Sequence, residues 1–233
     1  MMGLKDDLIA EVTNTFKKTW SVEETDGVPD PEDLRLNSNH AKDLTLATVL
    51  YADLDGSTNM VDTKRWEFSA EVYKSYLRCA SEIIRDEGGV ITGYDGDRVM
   101  AIFTGNSKNT SAVRCALKIN FAAIHIIQPA LENQYSGADF KLKHVIGIDT
   151  SQLRAARIGV RGDNDLVWIG RAANYAAKLA SLSGKATWIT KTVFDAIRDE
   201  VKISKGTPMW KEYKWTQMND APVYASTYFW YLK

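Results

Sequence analysis

The stretch Val49-Leu50-Tyr51-Ala52-Asp53-Leu54-Asp55-Gly56-Ser57-Thr58 predicts a strand that runs straight into a turn. Thr45 to Tyr51 is β-branched and apolar, which suits a buried strand. Asp-Gly-Ser-Thr then breaks the run, and Ser57 and Thr58 are residue types that start helices. Asp53 sits at the C-terminal lip of this strand. An unpaired carboxylate cannot stay in an apolar core, so Asp53 must reach solvent, a donor or a cation.

A second stretch, Gly88 to Phe103, predicts a β-hairpin with Asp95-Gly96 as its two-residue turn. That turn leaves Asp97 at the base of the returning strand. If the hairpin pairs with the first strand, Asp53 and Asp97 lie side by side. Two adjacent carboxylates share a proton or bind hard cations, and Mg²⁺ is the usual one where phosphate is also present. Singly, each Asp reads first as a turn residue, and it is the pair, each on a strand end beside a Gly turn, that points to metal. In a third stretch, Asp165 to Gly170 predicts a strand and Arg171 to Ala180 a helix. Spacings of three and four put Arg171, Asn174 and Lys178 on one helical face, and most such patterns by themselves are solvated basic faces.

Together, and in this order, the three stretches resemble the catalytic domain of class III adenylyl and guanylyl cyclases over roughly Leu46 to Thr190. Tyr51 to Thr58 is similar to that family's first metal-binding pattern, F-x-D-[IL]-x-G-[FS]-T. Gly96-Asp97-Arg98-Val99-Met100-Ala101-Ile102-Phe103 matches its second, G-D-x-x-M-A-x-F. The helix pattern G-x-x-[VA]-N-x-A-[AS]-R is met at Gly170, Ala173, Asn174, Ala176 and Ala177, with Lys178 in place of Arg.

Composition agrees with a soluble enzyme. The 233 residues allow one sizeable domain, or one domain and an appendage. A net charge of −1 gives no bulk attraction to nucleic acid or membrane. Cys79 and Cys115 fall in predicted helices and suit reduced core residues of a cytoplasmic protein. Lys5, Asp6 and Asp7 interrupt any signal-peptide core, and the most apolar stretch, near Ala112 to Leu131, carries Arg114, Lys118, Asn120 and His125 and is read as no membrane span.

Leu4, Leu8, Ile9, Val12, Phe16 and Trp20 recur at helical spacing, so an amphipathic helix is expected there, either as a dimer contact or as a pad on the core. Ser21 to Asp43 is polar, contains Pro29 and Pro31, and is expected to be a linker. The expected division is therefore 1–43, helix and linker, and 44–233, catalytic domain. A long helix ending at Gly88-Gly89 follows the first strand; after the hairpin come a second helix from about Ser107 to Leu131 and strands at Lys141 to Thr150 and Leu153 to Val160. The aromatic tail, Thr207 to Lys233, is expected to add edge strands. The order βαββαβ gives an α+β, ferredoxin-like core with extra strands and with helices on one face of an antiparallel sheet.

The resemblance implies attack of a ribose 3′-hydroxyl on the α-phosphate of the same nucleoside triphosphate, releasing pyrophosphate. Asp53 and Asp97, with the carbonyl of Leu54, would hold two Mg²⁺ or Mn²⁺ ions per active site. Backbone N–H groups at Gly56, Ser57 and Thr58 would cradle the outer phosphates, with Lys205 or Lys202 as a further contact. Asn174 would orient the ribose and Lys178 would balance charge on the α-phosphate. In the family these two halves come from different subunits, so a homodimer with shared sites is implied.

Base choice departs from the adenylyl pattern. Gly93 and Val167 stand where polar purine readers are usual, and Tyr51 shares a strand face with Asp53. Tyr51 is either a core aromatic or a residue that narrows the base pocket. With the second, the chain resembles the stand-alone pyrimidine cyclases of bacterial Pycsar antiphage systems, in the uridylate branch, whose cUMP acts on a separate effector. ATP cyclisation, CTP cyclisation and a silent nucleotide-binding regulator are the alternatives. A ferredoxin-like RNA-binding module would need exposed aromatic and basic residues on the sheet face, where this chain carries Asp53 and Asp97.

Overall fold

The computed structural model describes residues 3–137 and 139–232. Helix α1 (Leu4–Lys17) leads into strand β1 (Ser21–Glu24), which runs parallel to the start of the long strand β2 (His40–Leu54). Gly56, at φ +80°, turns the chain into the short helix α2 (Ser57–Thr63), and α3 (Trp66–Asp86) follows. Hairpin β3 (Val90–Asp95) and β4 (Arg98–Phe103) precedes α4 (Lys108–Ala122), which continues through a π-turn at Ala123–Ile127 into α5 (Gln128–Gln134). Then come β5 (His144–Val160), β6 (Asp163–Ile169), α6 (Arg171–Ala180), β7 (Thr187–Thr190) and α7 (Lys191–Ala196). A separate ribbon, β8 (Ile203–Ser204) with β9 (Thr207–Pro208), is followed by β10 (Lys211–Trp215) at the sheet edge and β11 (Ala221–Ser226) between β10 and β7.

The sheet runs β10-β11-β7-β5-β2-β4-β3, with β1 beside β2 and β6 beside β5. Its part β5-β2-β4-β3 is antiparallel throughout, which is the ferredoxin-like order expected from βαββαβ. Val49 to Ala52 are all but Tyr51 fully buried because both faces of β2 are covered. Leu50, Ala52 and Leu54 point into the larger core with Tyr76, Ile84, Cys115 and Leu117 of α3 and α4. Val49, with Met100 and Ile102 of β4, points the other way, onto Ala172, Ala173 and Ala176 of α6. The expectation that helices occupy one face is thus corrected: α6 lies on the opposite face, and its small alanines let it approach closely. A Cβ on Gly147 of β5 would sit 2.1 Å from the Ala176 carbonyl oxygen.

Other expectations shift in detail. The linker expected over 21–43 holds β1, a 3₁₀ turn at Pro31–Asp33 and the first residues of β2, and Leu34 is buried. The 43/44 boundary therefore falls inside a continuous strand, because hydrogen bonding to β1 and β5 carries β2 back to His40. The strands expected at 141–150 and 153–160 are one strand, β5, whose far half is held by β6. Helix α1 buries none of its residues, so it is no pad on this core; Asn39 alone caps it, donating to the Thr15 and Lys18 carbonyls. The segment Lys108–Gln134 is long and apolar enough to cross a membrane by composition, but 61% of its apolar window is buried inside the fold.

Candidate active site

Strand β2 delivers Asp53 to the lip of the sheet beside the β3–β4 turn. The register places Ala52 opposite Val99, so Arg98 is the next residue across from Asp53. Arg98 Nη2 and Nε donate to one oxygen, Asp53 Oδ2, at 2.7 and 3.2 Å. Its guanidinium also lies 5.8 Å from the centre of the Tyr51 ring. Burial raises the Asp53 pKa above the ordinary carboxylate value; the Arg98 contact opposes that rise and the nearby charge of Asp97 adds to it.

The hairpin turn lies one residue later than expected. Asp95 pairs with Arg98, so Gly96 and Asp97 are the two central residues, and Gly96 supplies the positive φ, +61°, that such a tight turn needs. Asp97 is therefore in the turn itself, near enough to Asp53 for its charge to act on that carboxyl. Its Oδ2 is buried and has no hydrogen-bond partner among the described residues. An orphaned carboxylate oxygen beside a second carboxylate is the donor set a hard cation takes. No cluster of three or more His, Cys, Asp or Glu side chains exists among the described residues. Further ligands would be oxygens of the backbone, such as the Leu54 carbonyl, and of a phosphate.

Directly after Leu54 comes the turn Gly56, Ser57 and Thr58 that opens α2. Tyr51, Met100 and Gly93 form one row across β2, β4 and β3, at a bulge near Thr92. Residues directly opposite one another share a sheet face, so Tyr51 and Gly93 line the same side, and space beyond the missing Gly93 side chain is open. Val167 sits on β6 opposite Ala156, whose β2 partner is Ala41. That is about 30 Å along β2 from Tyr51, so one chain does not bring Val167 to the base row. Asn174 and Lys178 are exposed on the outer side of α6, as an approaching second surface would require. Lys205, at φ +49°, turns the separate β8–β9 ribbon and has no hydrogen bond or ion pair to the Asp53 lip among the described residues; Lys202 lies over the Phe194 ring.

Sequence reasoning misses the support behind the lip. The fully buried Tyr76 hydroxyl lies 3.3 Å from His144 Nδ1, and His144 Nε2 lies 3.0 Å from Asn120 Oδ1. The Asn120 amide nitrogen donates to the Thr227 and Tyr228 carbonyls at 3.0 and 2.9 Å. Its oxygen must therefore accept, which assigns the His144 proton to Nε2 and lets Nδ1 accept from Tyr76. Burial lowers the His144 pKa to about 4. Burial, and then the charges of Asp53 and Asp97, raise Tyr76 well above its usual range. Arg98 was within reach of sequence reasoning, since it is two residues from Met100 and so on the Tyr51 side of the hairpin; the Tyr76, His144 and Asn120 chain, drawn from three distant segments, carries no local signal.

No family model matches the chain. A uridylate cyclase of Burkholderia cepacia is 65% identical over 98% of this chain and 99% of its own length. The chain belongs to the uridylate cyclase family. A second uridylate cyclase, from Xanthomonas perforans, is 50% identical over the same shares, 98% and 99%. The crystal structure of the adenylyl cyclase CyaB from P. aeruginosa superimposes with a TM-score of 0.64 at 21% identity, covering 80% of this chain and 95% of that one. The uridylate cyclase fold is thus the class III cyclase fold, and the chain is a nucleotide cyclase.

Proposed function

We propose that the chain converts UTP to 3′,5′-cyclic UMP and pyrophosphate at two equivalent sites shared across a homodimer. The observation that carries this is the pair Asp53 and Asp97, with Asp97 Oδ2 buried and without a hydrogen-bond partner among the described residues, beside a base row where Gly93 offers no side chain to read a purine. The names of the full-length relatives support the choice of base.

The ribose 3′-oxygen attacks the α-phosphorus, the bond from that phosphorus to the bridging oxygen breaks, and pyrophosphate leaves. Asp53, Asp97 and the Leu54 carbonyl would hold two divalent cations, Mg²⁺ or Mn²⁺, which when bound activate the hydroxyl and neutralise the triphosphate. Amides of the Gly56 to Thr58 turn face the outer phosphates. Asn174 and Lys178 of the second copy orient the ribose and balance charge at the α-phosphate, Lys178 as a point charge without the planar fork of Arg. Lys205 and Val167 enter the site only from the second copy. Tyr51 stacks on or bonds the pyrimidine, and Gly93 leaves the room it needs. The product would signal to a separate effector in cytoplasmic antiphage defence.

Asp53→Ala and Asp97→Ala test the metal assignment. Both should abolish cyclisation; Asp97→Ala should melt like the wild type, because a repelling carboxylate has been removed, whereas Asp53→Ala leaves Arg98 without its partner and should stay folded by circular dichroism with a lower melting temperature. Substantial turnover by either variant overturns the two-metal site.

A further inference from the structure

Helix α6 carries Asn174 and Lys178, yet most of what holds it is smooth. Its buried side is Ala172, Ala173, Ala176 and Ala180, with Leu179 the one larger buried side chain, near the C-terminal end against Val145, Trp188 and Trp215, and the nearest strand offers Gly147. Such a surface packs well but resists rotation and sliding poorly, since dispersion contacts have little direction. Directional contacts cluster at the first turn of the helix. Asp149, whose side chain is 0% exposed, lies at the centre of β5 and meets Arg171 in a fork: Nε to Oδ2 at 3.0 Å and Nη2 to Oδ1 at 3.2 Å. Arg171 Nη2 also donates to the Thr150 carbonyl at 2.8 Å, and the Ala172 amide donates to Ser151 Oγ at 2.9 Å. Thr190 donates to Asp149 Oδ1 at 2.6 Å, which ties the end of β7 to the same carboxylate.

Asp149 is buried while Arg171 keeps 42% of its side chain exposed, so the cost of desolvating the carboxylate offsets much of the attraction and the pair adds little stability. What a planar two-bond fork adds is geometry. Arg171 and Asn174 are three residues apart on one face, so a rotation of the first turn moves both together. We propose that Asp149 is a positioning residue: through the Arg171 fork it sets the rotation and register of α6, and so aims Asn174 and Lys178 at the ribose and α-phosphate. The proposal rests on the shared-site cyclase reaction above.

Asp149→Asn and Arg171→Gln each loosen the fork from one side; Arg171→Lys keeps the charge and loses the second bond. Displacements near 1 Å at a reacting centre lower rates by up to about a hundredfold. All three variants should therefore lose at least about tenfold in kcat, with the nucleotide KM and Mn²⁺ activation nearly unchanged. An unchanged kcat in these variants overturns the proposal, whatever the assembly.

Mixing chains separates positioning from loss of folding. With shared sites, an Arg171→Gln chain mixed with Asp97→Ala recovers one good site, its own metal half facing an intact helix from the tester. Mixed with Asn174→Ala, it recovers none. Equal recovery with both testers, or with neither, overturns the fork as a device of the α6 half. Asp97→Ala mixed with Asn174→Ala is the reference, and silence in that mixture sinks the shared site itself.

Discussion

Asp53 and Arg98 hold one another at the point where the reaction is proposed to occur. Two guanidinium nitrogens share one oxygen of Asp53, and Asp97 Oδ2, buried and without a hydrogen-bond partner among the described residues, is the oxygen left for a cation. The same guanidinium lies near the Tyr51 ring, so charge, carboxylate and aromatic meet on one face of the sheet. Stacking or a phenol hydrogen bond to a base is worth roughly 1–3 kcal/mol. Tyr51→Ala should then lose about ten- to hundredfold in UTP turnover, with a smaller change for ATP; equal losses on every nucleoside triphosphate would reduce Tyr51 to a core aromatic. His144 gives a prediction about pH. Its pKa is about 4 in the fold against 6.5 in an exposed chain, so between those values the unfolded chain binds more protons. Stability is whole above pH 6.5 and falls as pH drops toward 4, by about 1.4 kcal/mol per unit and roughly 3 kcal/mol in all. Denaturant titrations across this range should show the slope in the wild type, and His144→Gln should flatten it. An unaltered slope would place the lost protons elsewhere.

Strand ends, turns and one helix face make the site, and their legibility in the sequence differs for physical reasons. β2 and the β3–β4 hairpin are legible because a buried apolar run and an Asp-Gly turn are local signals; the single-residue shift of the turn to Gly96-Asp97 goes with the β3–β4 register, Asp95 opposite Arg98 with a bulge between Ile91 and Gly93, which the turn dipeptide alone does not contain. The reach of β2 back to His40 is hidden for the same reason, since its partners β1 and β5 lie elsewhere in the chain. Helix α6 is legible as a helix, but its side of the sheet is not: four alanines do not say which face they cover. Gly147 decides it, by admitting α6 where any side chain would meet backbone. Gly147→Ala should cost at least about 2 kcal/mol as overpacking and lower activity by shifting α6. Wild-type melting and turnover in that variant would mean the helix is free to move away.

At the scale of the molecule, β10 and β11 build a smaller cluster with Leu179 and Trp188, while Tyr228 and Trp230 beyond them pack on the larger core, and helix α1 buries none of its residues. Leu8, Ile9, Val12 and Phe16 of α1 are all exposed, Phe16 by 87%. Surface substitutions of this kind usually change stability by less than about 0.5 kcal/mol, so Phe16→Glu should leave the melting of the purified protein almost unmoved. A large loss would mean that α1 is buried in the assembly that exists in solution. The amphipathic period of α1 is plain in the sequence, whereas its exposure is not, since the fold of the described residues offers its apolar side no cover.

Asp53, Asp97, Asn174 and Tyr51 are assigned to one reaction on one base, and a single incubation addresses both. The purified protein is given ATP, GTP, CTP and UTP separately with Mn²⁺, and pyrophosphate and the nucleotide product are identified by chromatography and mass. The expected result is stoichiometric pyrophosphate and 3′,5′-cyclic UMP from UTP, with little or no product from the purines. Cyclic AMP as the main product would contradict the pyrimidine site, and no cyclic product from any of the four would contradict the enzyme.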